Sequence, residues 1–169
     1  MIHLTTPISE EDIAKLQVGD VVSISGDIFC GRDAVLPKVC KLIEENRLSE
    51  KGINLQGSVM FHTAVSPAGI GPTSSNKVEI EGSFEALSKA GLKIHLGKGA
   101  ISQKTIDAIS KLNAVYAIIP PVTALLGSKT SDIEVAAYPE LGMEALHKVH
   151  ITEYQAIIAA AQGKSIYDK

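Results

Sequence analysis

The segment from Ile70 to Lys77 combines groups that can bind an anion and react with it. A Gly-Pro pair sets a turn, Thr73, Ser74 and Ser75 follow with three hydroxyls, and Lys77 stands four positions after Thr73. The first N–H groups of a helix have no intrahelical partner, so a helix that begins here would offer hydroxyls, N–H groups and a cation to one anion. Taken alone, such a run is more often an ordinary N-capped turn rich in serine and threonine.

Two further cations follow predicted strands. Arg32 comes directly after one apolar run, and Lys98 stands between Gly97 and Gly99 after another. Sheets of α/β proteins hold ligands at glycine-rich loops after the strands, because backbone can approach a ligand closely there. If the loop tips with Arg32, Lys77 and Lys98 converge, they form a pocket for a small polyanion such as a dicarboxylate, which arginine binds bidentately and lysine as a point charge.

Each of these cations also has a simpler interpretation. Gly-Lys-Gly is commonly a surface turn, Arg32 and Asp33 are compatible with a local ion pair or a helix cap, and Lys77 alone is solvated. The five histidines show no spacing typical of a metal site, and each is interpreted as neutral and hydrogen-bonded. Gly-x-Gly-x-x-Gly, Walker A and Gly-x-Ser-x-Gly patterns are missing from the sequence, which argues against nucleotide-binding and hydrolase functions.

The elements that must position these residues are predicted from composition and periodicity. Apolar residues make up 45% and aromatic residues 4% of the 169 residues, so the core is built from Ile, Val, Leu and Ala, which favours an α/β fold. The length indicates a single domain over residues 1–169. Predicted strands are 21–24, 28–30, 58–62, 92–96, 114–119, 133–136 and 146–151. Three predicted helices begin after Ser9, near Pro37 and after Lys77, and three more span 102–112, 122–126 and 154–161. Residues 26–27 are a predicted turn and 63–69 a predicted loop.

Charge and cysteine content exclude several classes of partner. The net charge of −3 and the scattered basic residues argue against nucleic acid. The sequence shows neither an export signal nor an apolar run of about 20 residues, so we expect a cytoplasmic protein that does not bind a membrane. Cys30 and Cys40 are then reduced, and this chain alone lacks the cysteines for a Cys₄ zinc site or a whole iron–sulfur cluster.

In order and spacing, several short motifs match one family. The chain resembles the β subunit, equivalently the C-terminal domain, of the iron–sulfur hydro-lyases: class I fumarase and L-tartrate dehydratase. The matching motifs run almost from end to end of the sequence. They are Leu4-Thr5-Thr6-Pro7, Gly19-Asp20, Arg32-Asp33, Gly71-Pro72-Thr73-Ser74-Ser75, Gly97-Lys98-Gly99 and Glu140-Leu141-Gly142-Met143-Glu144-Ala145.

The resemblance implies a fold, a cofactor and a partner. The expected fold is a swivelling β/β/α three-layer domain that closes over a [4Fe–4S] cluster. A separate α subunit carries that cluster, which this chain does not ligate, so we expect a heterodimer or heterotetramer. The expected activity is that of a fumarate hydratase, the reversible hydration of fumarate to L-malate.

The resemblance also implies roles for individual residues. Thr73 corresponds to the proposed base that removes the proton next to a carboxylate. Arg32, Lys77 and Lys98 correspond to the residues that bind the substrate carboxylates. The remaining residues predicted to bind substrate are Ser74, Ser75, Gly97 and Gly99.

Three departures from the family pattern leave the substrate open. The family usually has Arg at Lys77 and His at Leu36, and its segment between His62 and Gly71 is longer. One alternative is therefore an L-tartrate dehydratase or related dicarboxylate hydro-lyase β subunit. Another is a dicarboxylate-binding module that has lost catalysis, and a third is a structural subunit with an apolar surface for its partner.

Overall fold

The computed structural model describes residues 1–66, 69–73, 77–119 and 129–167, with the side chains of 64–80 left out. Within this part of the chain, helices are interspersed among the strands. The strands are β1 Ile2–Thr5, β2 Val21–Cys30, β3 Val59–Phe61, β4 Thr63–Ser66, β5 Gly69–Thr73, β6 Ile94–Gly97, β7 Val115–Ile118, β8 Thr130–Ala137, β9 Leu146–Ala161 and β10 Lys164–Ser165. The α-helices are α1 Glu10–Ala14, α2 Leu36–Glu44, α3 Lys77–Lys89 and α4 Gln103–Lys111, and two 3₁₀-helices are η1 Leu48–Lys51 and η2 Pro139–Glu144.

Parallel strands form the part of the main sheet that carries the predicted site. β2, β3, β6 and β7 lie side by side in this order, each parallel to the next, and β1 pairs in parallel with the first half of β2 on the edge that β3 also uses. The register aligns Cys30 with Phe61, Phe61 with Leu96, and Leu96 with Ala117. The carboxyl ends of β2, β3, β6 and β7 therefore lie along one edge of the sheet.

The long strand β9 closes this sheet on itself. It runs antiparallel to β2 over most of its length and antiparallel to β7 through its last residues. Because β2 and β7 are the two ends of the series β2-β3-β6-β7, pairing β9 with both completes a ring of strands. β8 pairs with the first residues of β9, from Leu146 to Ile151, and β10 pairs with its last two residues.

The ring separates an inner core from two outer ones. Alternate residues of β2, β3, β6, β7 and β9 point inward and form one apolar cluster with Leu4, Ile8, Ile13 and Leu16. The opposite face packs against α2 in a second cluster, around Val39, and against α3 and α4 in a third. A sheet with helices packed against its outer face results, so the predicted α/β class is confirmed, and the swivelling motion stays a prediction.

Most predicted elements are present close to their expected positions, the predicted cap at Ser9 is confirmed, and Ser102 caps the start of α4. The Ser9 hydroxyl accepts a hydrogen bond from the Asp12 amide, and the Ser102 hydroxyl accepts one from the Thr105 amide. The predicted helix 122–126 lies outside the described residues. Among the described helices, none is long and apolar enough to cross a membrane.

The predicted turn at Gly26-Asp27 is wrong, because β2 continues through it as one strand. The pairing of β2 with β9 shifts register between Ile24 and Gly26, which marks a β-bulge. Gly26 has φ +113°, and a Cβ atom there would overlap the Thr6 hydroxyl. Glycine therefore allows a bulge and a close backbone approach instead of a chain reversal.

Two further predictions are wrong for reasons of tertiary pairing. The predicted loop 63–69 contains β4 and the first residue of β5, which pair as a hairpin with Thr63 opposite Thr73. The predicted helix 154–161 is the second half of β9. Its alanine-rich sequence has good helix propensity, but pairing with β2 and β7 provides hydrogen bonds and burial that outweigh that preference.

Candidate functional site

Arg32 and Lys98 lie at equivalent heights beyond the carboxyl edge of the parallel strands. Arg32 is two residues past Cys30, Thr63 is two past Phe61, and Lys98 is two past Leu96, and the register aligns these three strand residues. The hydrogen bonds from Gly31 N–H to Phe61 O and from His62 N–H to Leu96 O, 3.0 and 3.1 Å long, extend the alignment past the strand ends. The backbones of β2 and β6 are two strand spacings apart, about 10 Å.

The β4–β5 hairpin brings Thr73 to the same edge. Thr73 pairs with Thr63, which follows the carboxyl end of β3 directly after His62. β3 lies between β2 and β6, and the backbone of Thr73 adjoins the segment that follows β3. The hairpin, which was not predicted, therefore brings a residue distant along the chain to the edge that Arg32 and Lys98 also follow.

Lys77 and the serines are only partly described. Lys77 is the first residue of α3, four residues after Thr73, as predicted for a helix that begins there. Its side chain and both Ser74 and Ser75 lie outside what the structure describes. Their roles in substrate binding stay predictions.

Arg32 forms an ion pair with Glu144 of η2. Its Nε donates to Glu144 Oε2 over 3.3 Å, and its Nη2 donates to Glu144 Oε1. The two side chains are 25% and 29% exposed, so the pair is partly shielded from water. The hydrogen bond to Glu144 raises the pKa of Arg32 above its usual value. The expected alternative of a helix cap is wrong, because Val35 is the N-cap of α2 and no side chain caps that end.

Lys98 is exposed, and the two glycines beside it have structural roles of their own. A Cβ atom on Gly97 would lie 3.2 Å from the ring of Tyr116, a contact close enough that the ring would have to shift slightly. Gly99 has φ +75°, and its carbonyl oxygen accepts a hydrogen bond from the Tyr116 hydroxyl at 2.9 Å. Burial raises the pKa of Tyr116 above its usual value. The contacts with Tyr116 thus hold the loop that presents Lys98.

A buried polar chain lies beneath this edge and was not predicted as a unit. His62 Nε2 is 3.2 Å from His95 Nδ1, and His95 Nε2 is 2.9 Å from the Ser88 hydroxyl. Phe84 of α3 stacks on both imidazoles, with ring centroids 4.8 and 4.0 Å away. Nδ1 of His62 has no hydrogen-bond partner within the described residues. The expectation of neutral histidines holds here, since burial lowers the pKa of His62 to about 3 and that of His95 well below its usual value.

The cysteines lie away from the candidate site. Cys30 is fully buried in the inner core, and burial raises the pKa of its thiol. Cys40 lies on α2, where burial raises the pKa of the thiol to about 11. In the parts of the chain covered by the structure, no three His, Cys, Asp or Glu side chains lie close enough together to hold a metal ion. The described residues thus do not fit a ligand set for an iron–sulfur cluster.

Comparison with known proteins relates the chain to lyases. The sequence profile of the family described as Fumarase C-terminus matches residues 1–169. The β subunit of L(+)-tartrate dehydratase from Escherichia coli K12 is 31% identical over 172 residues, which cover 93% of this chain and 81% of that subunit. The anaerobic class I fumarate hydratase of the same organism is 30% identical over 168 residues, 93% of this chain but 30% of the relative. A putative class I fumarate hydratase from Geobacillus stearothermophilus is 28% identical over 182 residues.

Proposed function

The chain belongs to the fumarase C-terminus family, and from that premise we propose that it is the β subunit of a two-subunit [4Fe–4S] hydro-lyase. The proposed reaction is the reversible hydration of fumarate to L-malate. The observation that supports it best is the common edge of β2, β3 and β6, where Arg32, Thr73 and Lys98 follow or adjoin strand ends. The backbones that carry these two cations are two strand spacings apart, about 10 Å, which suits a small dicarboxylate held between Arg32 and Lys98.

The proposed roles follow from the charge that develops during proton removal. Taking a proton from the carbon next to a carboxylate builds negative charge on that carboxylate. Cations of Arg32, Lys77 and Lys98 stabilise this charge more in the transition state than in the ground state. Thr73 takes the proton. A neutral threonine is a weak base, and the start of α3 four residues later provides a positive helix end that favours its ionised form.

The iron–sulfur cluster is assigned to a partner. These 169 residues contain two cysteines, one of them inside the inner core, so a cysteine-ligated cluster requires ligands from outside them. We propose an α subunit that carries the cluster and faces the edge with Arg32, Thr73 and Lys98, in a heterodimer or heterotetramer. When bound there, the cluster supplies a Lewis acid for the substrate hydroxyl.

Anaerobic co-purification with a three-cysteine partner encoded nearby, followed by assays with malate, fumarate and tartrate, tests this function. In the assembled complex, Thr73→Val is expected to lower kcat by about a hundredfold or more, because the variant cannot accept the proton. Lys98→Ala is expected to raise the KM for the dicarboxylate. Lys104→Ala, an exposed lysine of α4, is the control and leaves both parameters unchanged. Full activity of the Thr73 and Lys98 variants would contradict the assigned roles.

The same experiments separate the alternatives. Turnover of tartrate without turnover of malate or fumarate would favour a tartrate dehydratase β subunit, in line with the relative of that name. A module that has lost catalysis is favoured by Lys77 in place of the family's Arg. Calorimetry would then detect malate binding to the isolated chain, and no complex would show turnover.

A further inference from the structure

We propose that Tyr116 is a positioning residue, which fixes the loop that carries Lys98 and so determines where its ammonium group meets a substrate carboxylate. This inference rests on the proposed function, because Lys98 belongs to the site described there. Lysine carries a point charge at the end of a flexible stem. The region that this charge can reach is therefore set by the backbone that carries it, and Tyr116 lies against that backbone on both sides of Lys98.

The Tyr116 side chain follows the outer face of the sheet towards the carboxyl edge. Gly97 pairs with Ile118, which is two residues beyond Tyr116 in β7. A Cβ atom on Gly97 would lie 3.2 Å from the ring and 3.2 Å from the hydroxyl oxygen of Tyr116. Past Gly97, the same hydroxyl donates a hydrogen bond to the Gly99 carbonyl oxygen over 2.9 Å. One side chain thus contacts the backbone before and after Lys98.

The surroundings of the Tyr116 hydroxyl favour a fixed contact. The residue is 2% exposed, and Phe84 of α3 packs against its ring, with the ring centroids 5.9 Å apart. Burial raises the pKa of Tyr116, so its hydroxyl keeps its proton and remains a donor around neutral pH. If the loop moved away, a buried hydroxyl would lose its acceptor, which costs free energy. The contact with Gly99 therefore resists displacement of the loop.

A second contact holds the far end of this loop. Glu81 Oε1 accepts a hydrogen bond from the Ser102 N–H over 2.7 Å, which attaches the start of α4 to α3. Glu81 lies about one helical turn after Lys77, the first residue of α3. The loop of Lys98 and the helix that begins at Lys77 are therefore joined. Tyr116 completes a support that relates the backbones of two cations proposed to bind the substrate.

Steady-state kinetics of the co-purified α/β complex test this role through Tyr116→Phe, which keeps the ring and removes the hydroxyl. We expect the KM for malate to rise about fivefold while kcat stays within about twofold, because the variant misplaces a binding group and leaves Thr73 unchanged. Tyr154→Phe is the matched control and should leave KM unchanged. It removes another buried tyrosine hydroxyl, which contacts Thr130 on a part of β9 that pairs with Ile24, away from the carboxyl edge of β2.

A double-mutant cycle separates positioning from general support of the fold. In a Lys98→Ala background, Tyr116→Phe should cause little further rise in KM, because the group that it misplaces is gone. An equal rise in both backgrounds would overturn the inference. So would an unchanged KM in the single variant, or an equal rise in Tyr154→Phe.

Amide hydrogen exchange of the same complex tests the structural link without depending on turnover. In Tyr116→Phe, peptides that contain residues 97–100 should exchange several-fold faster than in wild type, while peptides from α1 keep their rates. Unchanged exchange of residues 97–100 would overturn the inference, whatever the kinetics show. Absence of turnover by the wild-type complex would instead contradict the proposed function and, with it, the role assigned to Tyr116.

Discussion

At the scale of single residues, the histidine pair beneath the site is the most unusual polar feature. His62 and His95 are fully buried, share one hydrogen bond and stack against Phe84. Removal from water is the main cause that lowers both pKa values, and the neighbouring His62 lowers that of His95 further. A neutral imidazole can donate through one nitrogen and accept through the other. The two rings can therefore share their hydrogen bond while both are uncharged.

These shifts make stability depend on pH. In the unfolded chain a histidine binds a proton near its usual pKa of 6.5, whereas folded His62 does so only near 3. The unfolded state therefore holds more protons between these values, and the free energy of unfolding falls as the pH is lowered. His62→Phe keeps a ring against Phe84 but cannot bind a proton. Below pH 6.5, the free energy of unfolding of this variant should therefore fall less steeply than that of wild type, by up to about 1.4 kcal/mol per pH unit.

Urea unfolding of wild type and His62→Phe, at several values between about pH 7 and pH 4, measures this difference. His3→Gln, which removes an exposed histidine, is the matched control for the loss of an imidazole at the surface. Parallel pH profiles for wild type and His62→Phe would show that His62 is not kept neutral by the fold.

At the scale of elements, β9 decides the architecture. Tyr154, Ala156 and Ile158 belong to the inner core, so alternate residues of its second half point inside the ring. Ile157 lies between two of them and is only half-buried. This period of two is typical of a strand and differs from a helix, in which Ile157 and Ile158 would share one apolar face.

The two isoleucines therefore provide a test of the strand assignment. Ile158→Ala is expected to lower the free energy of unfolding by about 2 to 4 kcal/mol, because it leaves a cavity in the inner core. Ile157→Ala should cost about 1 kcal/mol or less, since the side chain buries less surface. Chemical denaturation of both variants measures the difference. Equal costs would favour a helix over residues 154–161.

Elements with local signals were predictable from the sequence. The caps at Ser9 and Ser102 precede helices at the expected residues, and short apolar runs such as 58–62 mark buried strands. The β4–β5 hairpin was missed because its Gly- and Pro-rich sequence has no clear alternation. The second half of β9 was misassigned because its partners β2 and β7 are distant in sequence, and propensity alone favours helix for alanine.

The same limit applies to the site. Arg32 and Lys98 were identified from cations next to strand ends, and the register of the parallel strands places them at one edge. Glu144 pairs with Arg32 across 112 residues, and His62 contacts His95 across 33. Contacts at such separations depend on how layers pack, which a single sequence does not report. The Glu140–Ala145 motif was the available signal for Glu144, although it indicated no partner.

At the scale of the whole molecule, β9 ties the parallel strands to the remaining ones. It pairs with β2, β7, β8 and β10, and its inward side chains contribute to the core that all the ring strands share. Loss of β9 would expose the inner core along its length. We therefore expect the described strands to unfold together, in keeping with the predicted single domain.

This expectation has a direct measurement. Far-UV circular dichroism reports the sheet and helices, and near-UV circular dichroism reports the buried rings of Tyr116 and Tyr154, because the chain has no tryptophan. Both signals should follow one denaturant transition with the same midpoint. Two separated transitions would show that the chain contains independently stable units.

The position of β9 in the ring also has a consequence during protein synthesis. The ribosome makes β2, β3, β6 and β7 before it makes residues 146–161, so the nascent sheet has two open edges and an uncovered apolar face until β9 emerges. Open edges and apolar faces favour association with other chains. Shielding of the growing polypeptide by a chaperone is therefore most valuable during translation of the segment between β7 and β9.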